Sequence, residues 1–194
     1  IRKAGLTIDE GLRLLRSAGM EAIPGGGAEI FDEELRARIC PDKGSTVEWF
    51  EVHAAAHRLG IPTNATILYG HIECVEHRID HLDRLRRQQD QTGGFNAFIP
   101  LKYRNFGNPM SEIGEVSVIE DLRMLAMSRI YLDNVPHIKA YWVMYGKATT
   151  ELALAFGADD IDGTIDDTTK IYSMAGADDR RPSMSVEEMH RIVR

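Results

Sequence analysis

The residues best suited to chemistry fall in five short polar segments, several rich in glycine. Gly25, Gly26 and Gly27 let a backbone approach a ligand closely, with N–H groups on offer to an anion or a carbonyl. The run is not a P-loop, because no Gly-Lys-Ser/Thr follows, and Ile30 breaks the Gly-x-Gly-x-x-Gly spacing. Glu29 comes next and suits a ribose or an ammonium group, or else the dipole of a helix start. Lys102, Arg104 and Asn105 form a compact donor set for a carboxylate, Arg as a fork and Lys as a point charge; the plain alternative is a basic surface loop. Asp166 and Asp167, followed by Thr168 and Thr169, suit sugar hydroxyls, or a helix cap.

His71, Glu73, His77 and His81 invite a metal reading, and a metal hydrolase built on His71, Glu73 and His77 is one alternative. The spacing is not that of His-Glu-x-x-His, and His53/His57 is a second i, i+4 pair, so a solvated or interhelix face for His77 and His81 is the expectation. Asp159, Asp160 and Asp162 hint at a calcium loop, but with Gly163 at its sixth position Thr169 stands where the bidentate Glu belongs. No Gly-x-Ser-x-Gly elbow occurs and neither Cys40 nor Cys74 has a recognisable base, so nucleophilic catalysis finds no support.

Helix starts with capping-box spacing supply the positioning elements: Thr7/Glu10, Ser45/Glu48, Ser117/Glu120 and Ser185/Glu188. Apolar stripes follow at helical period: Ile8, Leu12 and Leu15; Trp49, Val52, Ala56 and Leu59; Val75, Ile79, Leu82 and Leu85; Val118, Leu122, Leu125 and Ile130. Unperiodic apolar runs alternate with them at 22–24, 65–69, 95–101, 138–143 and 161–165, as a parallel sheet requires. The fold class is α/β, either doubly wound or a barrel. In both, ligands gather beyond the carboxyl ends of the strands, and the polar segments above lie there. An intact barrel needs about 250 residues, so the five runs predict a partial one, a single unit over 1–194 ending in a helix over 181–194.

The chain has 194 residues, 43% hydrophobic and 27% charged, with a formal charge of −7 that argues against nucleic acid or an anionic membrane as partner. No apolar stretch approaches the roughly 20 residues of a membrane span. A start at Ile1 without Met or signal peptide reads as a chain cut from a longer parent, and two dispersed cysteines fit a reducing cytoplasm.

Three segments, Ile23–Ile30, Leu68–Glu73 and Gln91–Pro100, together resemble the radical S-adenosylmethionine enzymes of the futalosine route to menaquinone. Leu101–Asn105, Lys139–Trp142 and Asp162–Tyr172 favour the aminofutalosine synthase branch over the dehypoxanthine futalosine cyclase branch, where a Trp-Pro-Phe-Gln-type continuation is expected after the second strand. The resemblance implies a TIM-barrel-like fold, S-adenosylmethionine and a 4Fe-4S cluster. It also implies addition of a 5′-deoxyadenosyl radical to the dicarboxylate enol ether 3-(1-carboxyvinyloxy)benzoate, giving 6-amino-6-deoxyfutalosine. It assigns Gly25, Gly26, Gly27, Glu29, Thr66, Gly70 and Glu73 to the cofactor, and His71, Lys102, Arg104, Asn105, Asp166 and Asp167 to the substrate. Thr66–Glu73 keeps the second Gly and the Glu of the family's Gly-x-Ile-x-Gly-x-x-Glu adenine strand. The family's Cys-x3-Cys-x2-Cys loop does not occur, and Cys40 and Cys74 cannot replace it. The chain is therefore expected to be the carboxyl-terminal portion, inert without the amino-terminal half of the same enzyme.

Overall fold

The computed structural model describes residues 2–105, 107, 109–163 and 183–194. In chain order the elements are α1 (Ile8–Ser17), α2 (Glu33–Ile39), α3 (Thr46–Arg58), β1 (Thr63–Tyr69), α4 (Val75–Thr92), β2 (Phe95–Lys102), α5 (Val118–Tyr131), β3 (His137–Ala140), α6 (Trp142–Tyr145), α7 (Lys147–Ala155), β4 (Asp160–Ile161) and α8 (Val186–Ile192). Thr7, Ser45 and Ser185 each make the full reciprocal box with their Glu. Ser117 makes half of one, because the Glu120 carboxylate turns to Arg123 and Arg78 instead. Capping-box spacing misses α2, where Asp32 accepts from the Leu35 N–H and no Glu or Gln stands at the third position.

The strands are parallel and ordered β1-β2-β3-β4. Ile23 bridges in parallel to Thr63, so the segment before α2 is a fifth, broken member beside β1. Two expected runs are corrected. The run at 138–143 is a strand only as far as Ala140; there the chain leaves the sheet, and the Tyr145 hydroxyl donates to the Pro100 carbonyl at 2.7 Å, holding α6 over β2. Of the run at 161–165, the described strand includes only Ile161, and residues 164 and 165 lie outside the described residues.

Residues paired across a parallel sheet project to the same side, and side chains alternate along each strand. On one side Ala65, Ile67, Tyr69, Phe98, Ile138 and Ala140 pack with Trp49, Leu82, Leu85, Met124, Leu125 and Ala153 of the helices. The other side carries Thr66 opposite Ile99, Leu68 opposite Leu101, and Lys139 opposite Asp160. There Leu68, Ile99, Leu101 and Lys139 are only half-buried. Strands in sequential order with the core helices on one face fit a section of barrel wall; a doubly wound sheet reverses its order and carries helices on both faces.

Several stripes turn differently from their sequence period. Leu15, Val75, Val118 and Ile130 are exposed. On α5 the buried face is Asp121, Met124, Leu125 and Ser128, because Asp121 is drawn inward by Lys102 and Tyr69. Among the described residues no helix is long and apolar enough to cross a membrane.

Candidate functional site

The glycine loop lies against β1. A Cβ on Gly25 (φ +80°) would stand 2.0 Å from the Asn64 carbonyl oxygen, so only glycine permits this approach of the two backbones. Gly26 and Gly27 have open space where a Cβ would be, room for a ligand to come close. The Thr66 hydroxyl donates to the Gly25 carbonyl at 3.0 Å, and the Trp49 indole N–H donates to that of Gly26 at 3.3 Å. Buried Arg36 donates to the carbonyls of Gly27, Ala28, Ile30 and Gly44. Glu29 is not at a helix start, since α2 begins at Glu33; it sits at φ 45°, rare outside glycine, with its carboxylate paired to Lys43. Its carbonyl accepts from the Leu68 N–H at 2.7 Å, which places Glu29 at the carboxyl end of β1.

The next turn is built on Glu73. Its buried carboxylate accepts from the Gly70 N–H at 2.6 Å, the His71 N–H at 2.8 Å and the Arg78 Nε at 2.7 Å. Glu73 and Thr66, expected to touch the cofactor, therefore have these polar atoms engaged within the chain and shape the rim. Gly70 takes φ +87°, and Val116 fills the space over it. The His71 ring is enclosed, with Nε2 3.0 Å from the Leu68 carbonyl and Nδ1 3.2 Å from Glu73 Oε2 but out of hydrogen-bond alignment. Burial pushes its pKa down, opposed by the charges of Glu73 and Glu29, so a neutral ring donates from Nε2.

Lys102 departs from its expected role. Its pairing opposite Tyr69 puts it on the helix side of the sheet, where its ammonium lies 3.0 Å from Asp121. Asp121, 1% exposed, also accepts from the Tyr69 hydroxyl at 2.7 Å. The cation is thus one member of a buried Lys–Asp–Tyr network and not a donor at the mouth. Burial pushes the Tyr69 and Tyr145 phenols far up, so both stay neutral. Arg104 is at the rim, with NH1 3.3 Å from Glu115 and 3.5 Å from the Met144 carbonyl. The Asn105 amide turns to the Ser111 carbonyl at 3.3 Å. Asp166 and Asp167 lie outside the described residues.

The histidines do not assemble a metal centre. His81 is fully buried, on neither the solvated nor the interhelix face expected: it stacks on Phe31, ahead of α2, at 3.8 Å and its Nε2 meets the Thr66 carbonyl of β1 at 2.9 Å. His77 pairs with the exposed Cys74 at 3.2 Å. Among the described residues no three His, Cys, Asp or Glu side chains stand together as a metal site, so the hydrolase alternative loses its ligand set.

The rim nonetheless draws distant segments together. Glu29 meets β1 two residues before Gly70, and the Tyr103 N–H donates to the Tyr69 carbonyl at 2.8 Å, which sets Arg104 beside them. Arg36 carries no motif; its one sequence signal is that it shares a helix face with Ile39, three positions on. Lys139, which the resemblance includes in a segment but gives no site role, faces the open side of the sheet between Asp160 and Asp162, each 3.3 Å away.

An all-parallel sheet in sequential order, with core helices on one face and a glycine loop at its carboxyl rim, defines a β/α protein of the kind that binds ligands at the strand ends. The chain belongs to the CofH/MqnC C-terminal region family, whose model matches residues 92–192. It is 47% identical to the aminodeoxyfutalosine synthase of Thermus thermophilus, over 98% of this chain and 52% of that protein. It is 44% identical to the Streptomyces coelicolor protein of the same name, over 84% and 44%. The 5-amino-6-(D-ribitylamino)uracil–L-tyrosine 4-hydroxyphenyl transferase of Methanothermobacter thermautotrophicus is 42% identical over 100% of this chain and 53% of that protein. The chain thus spans about half the length of these relatives.

Proposed function

We propose that this chain is the carboxyl-terminal part of a cytoplasmic aminofutalosine synthase, a radical S-adenosylmethionine transferase of menaquinone biosynthesis. The observation that carries the reading is the convergence of the glycine loop, Glu29, Gly70 and Arg104 on one end of the sheet, in a chain whose similar proteins include two synthases. When bound, S-adenosylmethionine supplies the adenosyl group added to 3-(1-carboxyvinyloxy)benzoate.

The open space at Gly26 and Gly27 fits close approach of such a cofactor, and Glu29 offers a carboxylate to its ribose or ammonium group. Glu73 and Thr66 hold the walls of that site. A 4Fe-4S cluster does not fit this chain, where Cys40 and Cys74 are free and no third cysteine exists. Its ligands belong to the other half of the enzyme, the partner this chain requires. Arg104 takes a substrate carboxylate by exchanging Glu115 for it, with Asn105 beside it; Asp166 and Asp167 are assigned to hydroxyls by residue type alone. A low-dielectric enclosure strengthens such pairs and keeps water from the reaction.

The test is Arg104→Ala in the full-length enzyme. S-adenosylmethionine affinity should persist while affinity for the enol ether falls at least about tenfold, the loss of one charge-assisted contact; unchanged enol-ether affinity would remove Arg104 from the site. The similarity to the tyrosine 4-hydroxyphenyl transferase supports a second reading. Turnover of L-tyrosine with 5-amino-6-(D-ribitylamino)uracil, in place of the enol ether, would select it, and turnover of dehypoxanthine futalosine would select the cyclase.

A further inference from the structure

We infer that Arg36 is the positioning residue of the glycine loop, holding Gly25–Glu29 in the shape that receives a ligand; this deepens the cofactor reading above and rests on it for the ligand alone. Arg36 is 4% exposed, and its two terminal nitrogens donate to the carbonyls of Gly27 (3.2 Å), Ala28, Ile30 (3.1 Å) and Gly44. Among the described residues it makes no ion pair; four carbonyl dipoles from two separate turns solvate the buried charge instead. A guanidinium has a fixed planar fork, so it dictates where those oxygens stand. An ammonium has three donors and no such plane, and cannot meet four acceptors.

The consequence for the loop follows from peptide planarity. In a trans peptide the C=O of one residue and the N–H of the next point in opposite directions. With the Gly27 and Ala28 carbonyls drawn to Arg36, the N–H groups of Ala28 and Glu29 are turned away from it. The backbone between is one few residues adopt: φ is positive at Gly25, Gly27 and Glu29 and at neither Gly26 nor Ala28. The Glu29 conformation is unfavourable for a residue with a side chain and persists only where the surroundings impose it. Arg36 is the side chain in position to impose it, since it grips both flanks of Glu29 through Ala28 and Ile30.

Trp49 is a reporter of this geometry, because its indole N–H donates to Gly26. In a Trp142→Phe background, where Trp49 is the one remaining tryptophan, the indole N–H resonance and its solvent-exchange rate are recorded for Arg36, Arg36→Lys and Arg36→Ala. Leu82→Ala, a core truncation that removes no hydrogen bond to the loop, serves as a control brought to equal stability with denaturant. Arg36→Ala and Arg36→Lys should both shift the resonance and speed exchange at least tenfold, guanidinium ions at millimolar concentration should restore the signal of Arg36→Ala, and Leu82→Ala should do neither. Titration with S-adenosylmethionine should show at least a tenfold loss of affinity in the same two Arg36 variants. An unmoved Trp49 signal in Arg36→Ala, or an equal change in Leu82→Ala, would overturn the positioning role. That titration uses the full-length enzyme; if the enzyme with Arg36 intact takes up no S-adenosylmethionine, the cofactor reading fails while the Trp49 and guanidinium measurements still decide Arg36.

Discussion

Lys102 and Asp121 form an ion pair of 3.0 Å on the helix side of the sheet, with Asp121 nearly inaccessible and bound as well to the Tyr69 hydroxyl. The pair ties the last residue of β2 to α5 and, through Tyr69, to the last residue of β1. It therefore fixes the height of two strand ends relative to each other, and with them the rim.

Breaking one half of this pair should be costly. Lys102→Met leaves Asp121 charged and buried, and removing one partner of a buried pair costs roughly 3–5 kcal/mol. The double variant Lys102→Met/Asp121→Asn should recover much of the loss, because no unpaired charge remains. Urea unfolding of the four members of the cycle measures this; a cost below about 1 kcal/mol for Lys102→Met would mean that the pair is solvated in solution.

Gly25 and Gly26 should respond oppositely to alanine. At Gly25 the new methyl collides with the Asn64 carbonyl and φ is positive, so a loss of roughly 3 kcal/mol or more is expected. At Gly26 there is open space and no positive φ, so stability should stay within about 0.5 kcal/mol. If the loop takes a ligand, Gly26→Ala is the variant that loses affinity while still folded, which calorimetry of S-adenosylmethionine binding reads directly.

Acid should destabilise the fold well before carboxylates titrate. Burial holds His81 and His53 neutral down to about 3 and His57 down to about 4, against an ordinary 6.5. Below 6.5 the unfolded chain binds protons at these rings and the folded chain does not. Stability from these groups is therefore complete above pH 6.5 and lost as pH falls toward 3. Each fully neutral ring contributes a slope of about 1.4 kcal/mol per pH unit within that window. The urea midpoint should be flat from pH 7 to 8 and decline between 6 and 5, and His81→Leu should flatten the decline; an unaltered slope would mean that His81 is already free to protonate.

Glu73→Gln should loosen one turn and leave the sheet in place. The carboxylate serves the Gly70 and His71 amides and Arg78, whose guanidinium is nearly buried. A loss of roughly 1.5–3 kcal/mol is expected, because Arg78 keeps Glu120 at 3.5 Å but loses its closer charged partner, and two amides lose their acceptor. Hydrogen exchange at the Gly70 and His71 amides should accelerate beyond that of β2; uniform acceleration would show global destabilisation instead.

Much of this architecture is written in local patterns. Each of the four Ser or Thr caps opens a helix, because a cap depends only on neighbours three positions away. The stretches 65–69 and 95–101 lie within strands for a similar reason: each is a short apolar run bounded by glycine. What sequence order hides is which side of a strand a residue faces. Lys102 looked like a rim donor because it adjoins Arg104, yet its parity with Tyr69 sends it beneath α5. The spacing of His81 suits a solvated or interhelix face, but stacking on Phe31, fifty positions earlier, is a tertiary relation with no local trace. Arg36 was invisible for the same reason, its partners being backbone atoms that carry no residue identity.

The sheet separates its two duties by parity. Every second strand residue belongs to the packed interior, while Leu68, Ile99, Leu101 and Lys139 look the other way and share few obligations with it. A lineage can therefore rewrite one set of positions and inherit the other intact. Proteins bearing two different enzymatic names, 47% and 42% identical to this chain, can then share one scaffold.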